Sequence, residues 1–384
     1  MLKIAVLAPQ LTPTHPAGRQ MLKVVQALSS EYEFTVFGRI LDESIKGKVQ
    51  FRKMPIPVIR PRLITYLTQF LLYRHLFKYL ELDKHFDIIH SIEGSAPFST
   101  IVTMHYCGAA AFNLLRNGSV RHLGIRRLYY SSLYFFGIRM ERHAVDNPYL
   151  KCVVAVSNGL KREIRYHYEP SANIVVIPNA LDVDHFSNSC QYRKMIRHEL
   201  GLKETDLVGA ICALGDWERK GLGVLIDSIA ILPRNAVKIL VIGGGPIEIY
   251  RRLCWKKGIS DAFIFTGLTR DVGKFYGASD FFILPTIYEA FPIVAVEAGA
   301  AGLPLVVTRV NGLEDFVEEG VNGFFIQRDP KSIADTIQSL VGDQQRLKEM
   351  GREAQRRAQK FRFENMVNAY RQLYQNLSLS KQEQ

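Results

Sequence analysis

The fold is decided by the stretch Asp280-Phe-Phe-Ile-Leu-Pro285-Thr-Ile-Tyr288-Glu289-Ala-Phe-Pro-Ile-Val-Ala-Val-Glu297-Ala-Gly-Ala-Ala-Gly302-Leu-Pro304. Its apolar beginning predicts a buried strand that ends in a loop before Glu289, and the Ala-rich run around Glu297 predicts a helix. One acid therefore lies at the carboxyl end of a strand and the other on the helix that follows. In open α/β sheets ligands bind at that edge, where a helix N-terminus offers N–H groups to an anion.

Two carboxylates beside an anion site suggest recognition of hydroxyl groups, such as those of a sugar and a ribose. A simpler interpretation stays open at this point, in which Glu289 caps the helix and Glu297 is a solvated helix residue. The two interpretations differ in what the carboxylates contact.

Strands and helices alternate along the chain, which predicts an α/β architecture of doubly wound parallel sheets. A chain of 384 residues is too long for one ordinary core and fits two domains of roughly 150–200 residues each. We place them at residues 1–188 and 189–360, followed by a C-terminal helix in 361–384, because the stretch from Asp184 to Cys190 breaks the alternation. The predicted strands are Lys3–Ala8, Phe34–Gly38, Ile88–His90, Thr100–His105, Cys152–Ser157, Ile174–Ile177, Leu207–Leu214, Val237–Gly243, Phe263–Thr266, Asp280–Leu284 and Leu305–Thr308.

Cysteine usage and hydropathy indicate the compartment. The five cysteines are scattered without paired spacing, which points to a reducing compartment and to neither zinc nor disulfide bonds. No run reaches the roughly 18 apolar residues of a spanning helix, and the apolar start Ile4–Ala8 is too short for a signal peptide. We therefore expect a cytoplasmic protein.

A second loop carries positive charge. The segment Leu214-Gly215-Asp-Trp-Glu-Arg219-Lys220-Gly221-Leu-Gly223 follows a predicted strand and leads into a predicted helix over Val224–Leu232. Arg219 and Lys220 then lie, on a flexible backbone, at the carboxyl edge of the sheet. A nucleoside diphosphate-sugar needs such a loop, because negative charge grows on the diphosphate as the sugar–oxygen bond breaks. In the alternative interpretation, Arg219 and Lys220 are solvated loop residues that bind no ligand.

The pair Glu289 and Glu297 resembles the glutamate-x7-glutamate signature of family-4 retaining glycosyltransferases, and other landmarks follow that family's order over nearly the whole chain. These landmarks are His105 in Val102-Thr-Met-His105, Ser157 in Val154-Ala-Val-Ser157, Pro178-Asn179, and Arg219-Lys220-Gly221. The resemblance implies the GT-B architecture, with two Rossmann-like doubly wound parallel-sheet domains facing across a cleft. It further implies an acceptor-side first domain, a nucleotide-sugar donor domain second, and a C-terminal helix that crosses back to the first domain.

The same resemblance implies roles for single residues. Glu289 would hydrogen-bond hydroxyls of the donor sugar, and Glu297 would bind the ribose hydroxyls. Arg219 and Lys220 would hold the two phosphates, with the arginine next to the lysine as in the lipopolysaccharide-core branch of the family. His105 would contact the donor sugar near the developing positive centre, so His105 and Glu289 are the predicted catalytic residues.

Backbone groups complete the implied donor site. Phe291, Ile293 and Val294 would donate N–H groups to the phosphates, since Pro292 between them has none. Gly18, at the start of the first helix, would let the backbone approach the donor. We assign His90, at another predicted strand end, a structural or acceptor-side role.

The resemblance implies a retaining, metal-independent hexosyltransferase that uses a nucleoside diphosphate-sugar, by family frequency a UDP-sugar. The acceptor would be a glycan or a lipid-linked molecule in cell-surface polysaccharide or lipopolysaccharide biosynthesis. No cofactor is expected, and the literal metal-like pattern Asp182-Val-Asp184 is assigned to structure because it lies in the family's Pro-Asn-x-x-Asp stretch. The alternatives are an epimerase or phosphorylase of the same fold, or a non-catalytic nucleotide-sugar-binding protein.

The first half of the chain is strongly basic. Residues 1–188 hold 23 Lys and Arg against 14 Asp and Glu. The stretches 52–78 and 116–142 hold twelve Lys and Arg against one acid, Glu141, interleaved with aromatic residues. We predict that they dock on an anionic membrane, which would make the protein peripheral at the cytoplasmic face. Ordinary amphipathic helices with core aromatics are the alternative, and nucleic acid is not an expected partner because no recognition motif is present.

Overall fold

The computed structural model describes residues 1–57, 62–79, 81–94, 96–114 and 125–382. The chain forms two compact units: unit 1 is Met1–Ala180 with Phe363–Gln384, and unit 2 is Leu181–Arg362. The predicted boundary between residues 188 and 189 therefore falls inside unit 2. The physical reason is that Phe186 is buried there, with its ring 6.2 Å from that of Tyr276.

The described part of unit 1 contains a seven-stranded parallel sheet in the order β5-β3-β1-β6-β7-β8-β9, and a small parallel pair β2-β4. Ile4 and Val6 of β1 face one buried cluster, whereas Ala5 and Leu7 face another. Both faces are covered, which explains why the strands are apolar without alternation. The strands are β1 (Lys3–Leu7), β2 (Gln10–Leu11), β3 (Glu33–Gly38), β4 (Ile40–Leu41), β5 (Gln50–Lys53), β6 (Ile88–Ile92), β7 (Ile101–Met104), β8 (Cys152–Ala155) and β9 (Asn173–Val176).

Helices cover both faces of this sheet. The first cluster contains residues of α1 together with Met366, Val367, Tyr370 and Tyr374 of the C-terminal helix, which therefore packs on unit 1. The helices of the described part of unit 1 are α1 (Pro16–Leu28), α2 (Arg62–Tyr79), α3 (Leu82–His85), α4 (Gly108–Leu114), α5 (Ile125–Val145), α6 (Asn158–Tyr168) and, at the chain's end, α16 (Phe363–Gln382). None of the helices in the described ranges has the length and apolar character needed to cross a bilayer.

Unit 2, described throughout, has a six-stranded parallel sheet in the order β12-β11-β10-β13-β14-β15. Its strands are β10 (Val208–Ala213), β11 (Lys238–Gly243), β12 (Phe263–Gly267), β13 (Phe281–Leu284), β14 (Leu305–Thr308) and β15 (Gly323–Ile326). Its helices are α7 (Val183–Ser187), α8 (Arg193–Glu199), α9 (Trp217–Lys220), α10 (Leu222–Ile229), α11 (Glu248–Lys256), α12 (Gly273–Ala278), α13 (Ile293–Ala300), α14 (Pro330–Leu340) and α15 (Gln344–Ala358). The strand order is that of a Rossmann fold, and the predicted α/β fold class is confirmed.

Candidate functional site

The strand order of unit 2 reverses between β10 and β13, which pair directly in parallel. Helix α9 follows β10 and carries Arg219 and Lys220, and the loop after β13 carries Glu289. The two segments therefore leave the sheet at the same edge and at its topological switch point. Ligands bind at such points in open α/β sheets.

The two cations and the carboxylate are in direct contact. Oxygen Oε1 of Glu289 accepts hydrogen bonds from Arg219 Nη1 at 2.7 Å, Lys220 Nζ at 2.6 Å and Thr286 Oγ1 at 3.2 Å. The side chains are 26% exposed for Arg219 and 11% for both Lys220 and Glu289. Sequence predicted all three charged residues for the site, but it did not predict that they pair with one another.

The protonation state of the cluster follows from these contacts. Burial raises the pKa of Glu289, but the charges and hydrogen bonds of Lys220 and Arg219 outweigh burial and leave the pKa below its usual value. For Arg219, burial lowers the pKa, and the carboxylates of Glu289 and Asp216 outweigh it and raise the pKa. Glu289 is therefore a carboxylate and Arg219 a cation at neutral pH, and the cluster, with Asp216 paired to Arg219 at 2.6 Å, joins two basic and two acidic side chains.

The cationic segment is more ordered than predicted. Instead of a flexible loop, Trp217–Lys220 form the short helix α9 between Asp216 at φ 54° and Gly221 at φ 86°. A Cβ at residue 221 would lie 2.1 Å from the carbonyl oxygen of Pro285, so only glycine allows this close approach. The prediction missed the helix because it is only one turn long and is stabilised by this tertiary contact.

The loop before α13 positions backbone donors. The N-cap residue is Pro292, and no side chain caps the helix, so the interpretation of Glu289 as a helix cap is wrong. Ile293 and Val294 are the first two helical residues, and their N–H groups have no carbonyl to reach inside the helix. Phe291 is buried, with its ring 5.4 Å from that of Phe361, which holds the loop in place.

Glu297 lies on α13 and is buried, with 8% of its surface exposed. It is therefore not the solvated helix residue of the simpler interpretation. Burial, with a further contribution from the charge of Glu297, raises the pKa of the neighbouring Cys212 thiol to about 12. Burial, with smaller contributions from Cys212 and Glu297, also raises the pKa of Tyr276, so these neighbours stay neutral beside the carboxylate.

In unit 1, His105 directly follows β7. Burial lowers its pKa to about 4, although a hydrogen bond to the side chain of Asn179 acts in the opposite direction. Atom Nδ1 is buried and has no hydrogen-bond partner among the described residues. His105 is thus a neutral ring with one buried nitrogen that has no partner among the described residues, and Asn179 is a partner that sequence reasoning did not assign.

Packing within unit 1 explains why residue 18 is a glycine, without any contact to a ligand. A Cβ there would lie 2.2 Å from the carbonyl oxygen of Gln10. Its N–H donates to His15 Nδ1 at 3.0 Å, so His15 caps α1 through its side chain. The backbone N–H of Gly18 is therefore engaged inside unit 1.

Other predicted residues have structural partners. Asp182 caps α7 by accepting from the N–H of His185 at 3.1 Å, and Asp184 pairs with Arg362 at 2.5 and 2.8 Å. His90 is fully buried in β6 between Tyr374 and Thr103. These contacts support the structural assignment of the Asp-x-Asp pattern and of His90.

One anchoring residue escaped the sequence analysis. Arg328, beyond β15, donates from Nε to the carbonyl of Pro285 at 3.1 Å and from Nη2 to that of Glu218 at 3.0 Å. It thereby links the segment after β13 to helix α9. No motif marks it, because both of its acceptors are backbone carbonyls.

Comparison with known proteins gives two family matches. Residues 17–185 match the model described as Glycosyltransferase Family 4, and residues 205–343 match that of Glycosyl transferases group 1. A D-inositol 3-phosphate glycosyltransferase of Corynebacterium jeikeium is 29% identical over 291 residues, which are 72% of this chain and 66% of the relative. The chain spans between about half and two thirds of the length of the curated relatives that it matches.

Solved structures share the fold. WaaG, a glycosyltransferase involved in lipopolysaccharide biosynthesis, aligns with a TM-score of 0.75 at 17% identity, covering 96% of this chain and 98% of the other. Anabaena HepE in complex with UDP-glucose aligns with a TM-score of 0.71 at 18% identity, covering 100% of both chains. At these identities the likeness establishes the two-domain GT-B fold.

Proposed function

Because the chain belongs to the family-4 glycosyltransferases, we propose that it moves a hexose-type sugar from a nucleoside diphosphate-sugar to a glycan or lipid-linked acceptor, with retention of configuration. The pathway would be cell-surface polysaccharide or lipopolysaccharide biosynthesis. UDP is the nucleotide we expect first, a choice supported by the UDP-glucose complex of the Anabaena neighbour. The acceptor class is supported by the involvement of WaaG in lipopolysaccharide biosynthesis.

One observation carries this proposal: two cations and a carboxylate meet at the switch point of the unit 2 sheet. Arg219 and Lys220 are placed to hold the diphosphate, and their positive charge stabilises the negative charge that develops on the leaving group. Glu289 is placed to accept hydrogen bonds from hydroxyls of the donor sugar. A carboxylate that accepts several hydrogen bonds is well suited to a polyhydroxylated ligand.

The remaining donor-site residues surround this cluster. The N–H groups of Phe291, Ile293 and Val294 would bind the phosphates at the N-terminus of α13, where the helix dipole also favours negative charge. Glu297, on the same helix, would accept from the ribose hydroxyls.

His105 and Gly18 would act from unit 1. The low pKa of His105 keeps its ring neutral at physiological pH, so it would position a sugar hydroxyl by hydrogen bonding and would not protonate it. For Gly18 we retain only the proposal that the backbone approaches the donor, because its N–H already donates to His15.

We propose that the reaction needs no metal ion, since Arg219, Lys220 and the N-terminus of α13 supply the positive charge that a divalent ion would otherwise provide. In the transfer step, the bond from the anomeric carbon to the phosphate oxygen breaks on the face that the acceptor hydroxyl attacks. The departing phosphate takes the hydroxyl proton as the new glycosidic bond forms.

A thermal-shift panel of UDP-, GDP- and ADP-sugars tests the donor. A ligand at 100 times its dissociation constant should stabilise the fold by roughly 2.7 kcal/mol. Product analysis with and without an acceptor then separates the alternatives. Sugar transfer that requires an acceptor supports the proposal, an isomerised donor without acceptor would indicate an epimerase, and binding without turnover would indicate a binding protein.

A basic and apolar surface of unit 1 supports peripheral membrane attachment from the cytoplasmic side. Helices α2 and α5, which carry the two basic stretches, lie side by side, with the rings of Phe70 and His143 6.2 Å apart. Leu71 and Phe135 are 59% and 61% exposed. Arg74, Lys78 and Arg139 are also exposed. Residues 58–61 and 116–124 of these stretches lie outside the described residues.

The alternative, in which the aromatic residues belong to the core, is correct for some of them. Tyr73 and Phe77 of α2 are buried, and Tyr73 donates to the carbonyl of Phe37 at 3.1 Å. The single acid of the two stretches, Glu141, accepts from the N–H of Gly108 at 2.8 Å and from the hydroxyl of Tyr168. Its carboxylate is therefore engaged within unit 1, which leaves the cations to face an anionic surface.

Vesicle co-sedimentation tests this surface. The chain should bind anionic vesicles at low salt and release them at high salt, because the attraction acts over a Debye length of roughly 8 Å at physiological ionic strength. Phe135→Ser should weaken binding, whereas Trp255→Ser, which removes a 75% exposed ring from unit 2, should not. Equal failure to bind anionic and neutral vesicles would favour a soluble acceptor.

A further inference from the structure

Glu289 is a mostly buried carboxylate at the switch point of the unit 2 sheet, and one of its oxygens has two cationic partners. Arg219 Nη1 and Lys220 Nζ both donate to Oε1 of this carboxylate. Arg219 is further fixed by Asp216 Oδ2, 2.6 Å from Nε, and by the carbonyl of Tyr288, 2.6 Å from Nη1. The groups proposed to bind phosphate are therefore already bound to an anion that belongs to the chain.

The backbone that carries these groups is held independently of the charges. The N–H of Ile287 donates to the carbonyl of Arg219 at 3.0 Å, and Thr308 Oγ1 donates to the carbonyl of Thr286 at 2.7 Å. Arg328 holds Pro285 and Glu218. A ligand that separates Glu289 from the cations thus needs to move side chains only, and not either segment of backbone.

We propose that Glu289 is an internal counter-ion that a nucleotide-sugar displaces from Arg219 and Lys220, and that this exchange makes the site prefer the nucleotide-sugar to the free nucleoside diphosphate. This inference rests on the proposed function. A nucleotide-sugar satisfies both sides of the broken ion pair, since its diphosphate binds the cations and its sugar hydroxyls donate to the carboxylate. A free nucleoside diphosphate binds the cations but offers no hydroxyl in their place, so the ionised carboxylate is left beside the terminal phosphate with Thr286 as its donor.

The charge of Glu289 should weaken the binding of a free nucleoside diphosphate. Two negative groups within several ångströms in a partly buried site repel one another much more strongly than they would in water. Loss of the sugar on transfer therefore turns Glu289 from a partner of the ligand into a competitor. The carboxylate then favours release of the nucleoside diphosphate product.

Isothermal titration with UDP, GDP and ADP tests the inference on the wild type and two variants. Glu289→Gln keeps the shape of the side chain but removes its charge, and it should bind the nucleoside diphosphate about tenfold more tightly than the wild type. Asp216→Asn is the matched control, because it removes the same charge from a partner of the same arginine. Its side chain is 58% exposed, so its effect should stay within about twofold.

The outcomes separate the inference from the proposed function. A wild type that binds none of the three nucleotides overturns the proposed function, and the inference with it. A wild type that binds one of them, with Glu289→Gln binding it equally or more weakly, overturns the inference alone. If Glu289→Gln does not fold, Glu289→Ala, which admits water around the two cations, is titrated in its place with the same expected direction.

Discussion

Two polar clusters, one in each unit, differ in their location and in the groups that they contain. In unit 1, His90 Nδ1 lies 2.8 Å from the hydroxyl of Tyr374 and Nε2 lies 2.7 Å from Thr103 Oγ1, which in turn lies 3.1 Å from the hydroxyl of Tyr370. In unit 2, Glu289 is bound by Arg219, Lys220 and Thr286. The first cluster lies in the core between β6, β7 and α16, and the second lies at the carboxyl edge of a sheet.

This contrast indicates that the unit 1 cluster stabilises the fold and that the unit 2 cluster is suited to bind a ligand. His90 is fully buried, and burial lowers its pKa to about 3, so the unit 1 cluster is neutral and each ring nitrogen has a protein partner. The unit 2 cluster is ionised and partly exposed, and its partners are groups that phosphates and hydroxyls can replace. A polar cluster that a ligand enters must be able to exchange partners, whereas one that anchors a helix must not.

The largest expected effect comes from removing a cation of the unit 2 cluster. Lys220→Ala should lower transfer activity by roughly a hundredfold or more, as expected for the loss of one preorganised charge stabiliser. The measurement is kcat/KM with the donor that the panel identifies. Lys257→Ala removes a surface lysine paired with Asp227 at 2.9 Å and serves as the control. Near-normal turnover of Lys220→Ala would refute the phosphate-binding role.

The next largest effect is a loss of folding stability at low pH, caused by His90 of the unit 1 cluster. Between about pH 6.5 and pH 3, unfolded His90 binds a proton that folded His90 does not, so stability falls as pH falls. The contribution is roughly 1.4 kcal/mol per pH unit, or about 2 kcal/mol between pH 6.5 and pH 5. Urea unfolding at pH 6.5 and pH 5 measures this loss. The decrease in the free energy of unfolding between the two pH values should be smaller in His90→Gln than in the wild type by about 2 kcal/mol.

A matched substitution controls for general effects of histidine titration. His198 is exposed on α8, and His198→Gln should unfold with the pH dependence of the wild type. Identical pH dependence in His90→Gln and the wild type would mean that His90 is not buried neutral, and the contrast between the two clusters would be lost.

The smallest expected effects distinguish two residues of the proposed donor site. Glu297→Ala should weaken nucleotide binding by about tenfold, comparable to the loss of a charge-assisted hydrogen bond. His105→Ala should lower kcat by a similar factor while the nucleotide still binds, because the ring is proposed to act on the sugar. Titration with UDP and steady-state kinetics separate these effects. If both variants lost only nucleotide affinity, the assignment of His105 would be wrong.

The sequence predicted the sheets well because buried parallel strands are continuous apolar runs. Each predicted strand is present with ends shifted by no more than two residues, and Leu305–Thr308 has the predicted bounds. The two-residue strands β2 and β4 were missed, and so were β5 and β15. For the longer pair the reasons differ. The first is a mostly exposed edge strand, Gln50–Lys53, and the second, Gly323–Ile326, is short and begins with a glycine. Strand β5 lacks the apolar run on which the prediction depends, and the apolar run of β15 is only three residues long.

The site was predicted by residue type but not by its contacts. Charged residues at strand ends predicted that Arg219, Lys220 and Glu289 share an edge, because parallel strands bring their carboxyl ends together. The mutual pairing of these residues, the anchor Arg328 and the partner Asn179 depend on tertiary geometry. Backbone acceptors and single amides leave no pattern in a sequence.

A crystal structure of the chain with UDP-glucose most directly tests whether the unit 2 cluster is built to exchange partners. We predict that the diphosphate lies within hydrogen-bond distance of Arg219 and Lys220, and that Glu289 has left both cations and accepts from hydroxyls of the glucose. The opposite result would be a bound nucleotide with Glu289 Oε1 still at its present 2.6 Å from Lys220 Nζ and 2.7 Å from Arg219 Nη1. That result would make the cluster a structural ion pair and place the donor phosphates elsewhere.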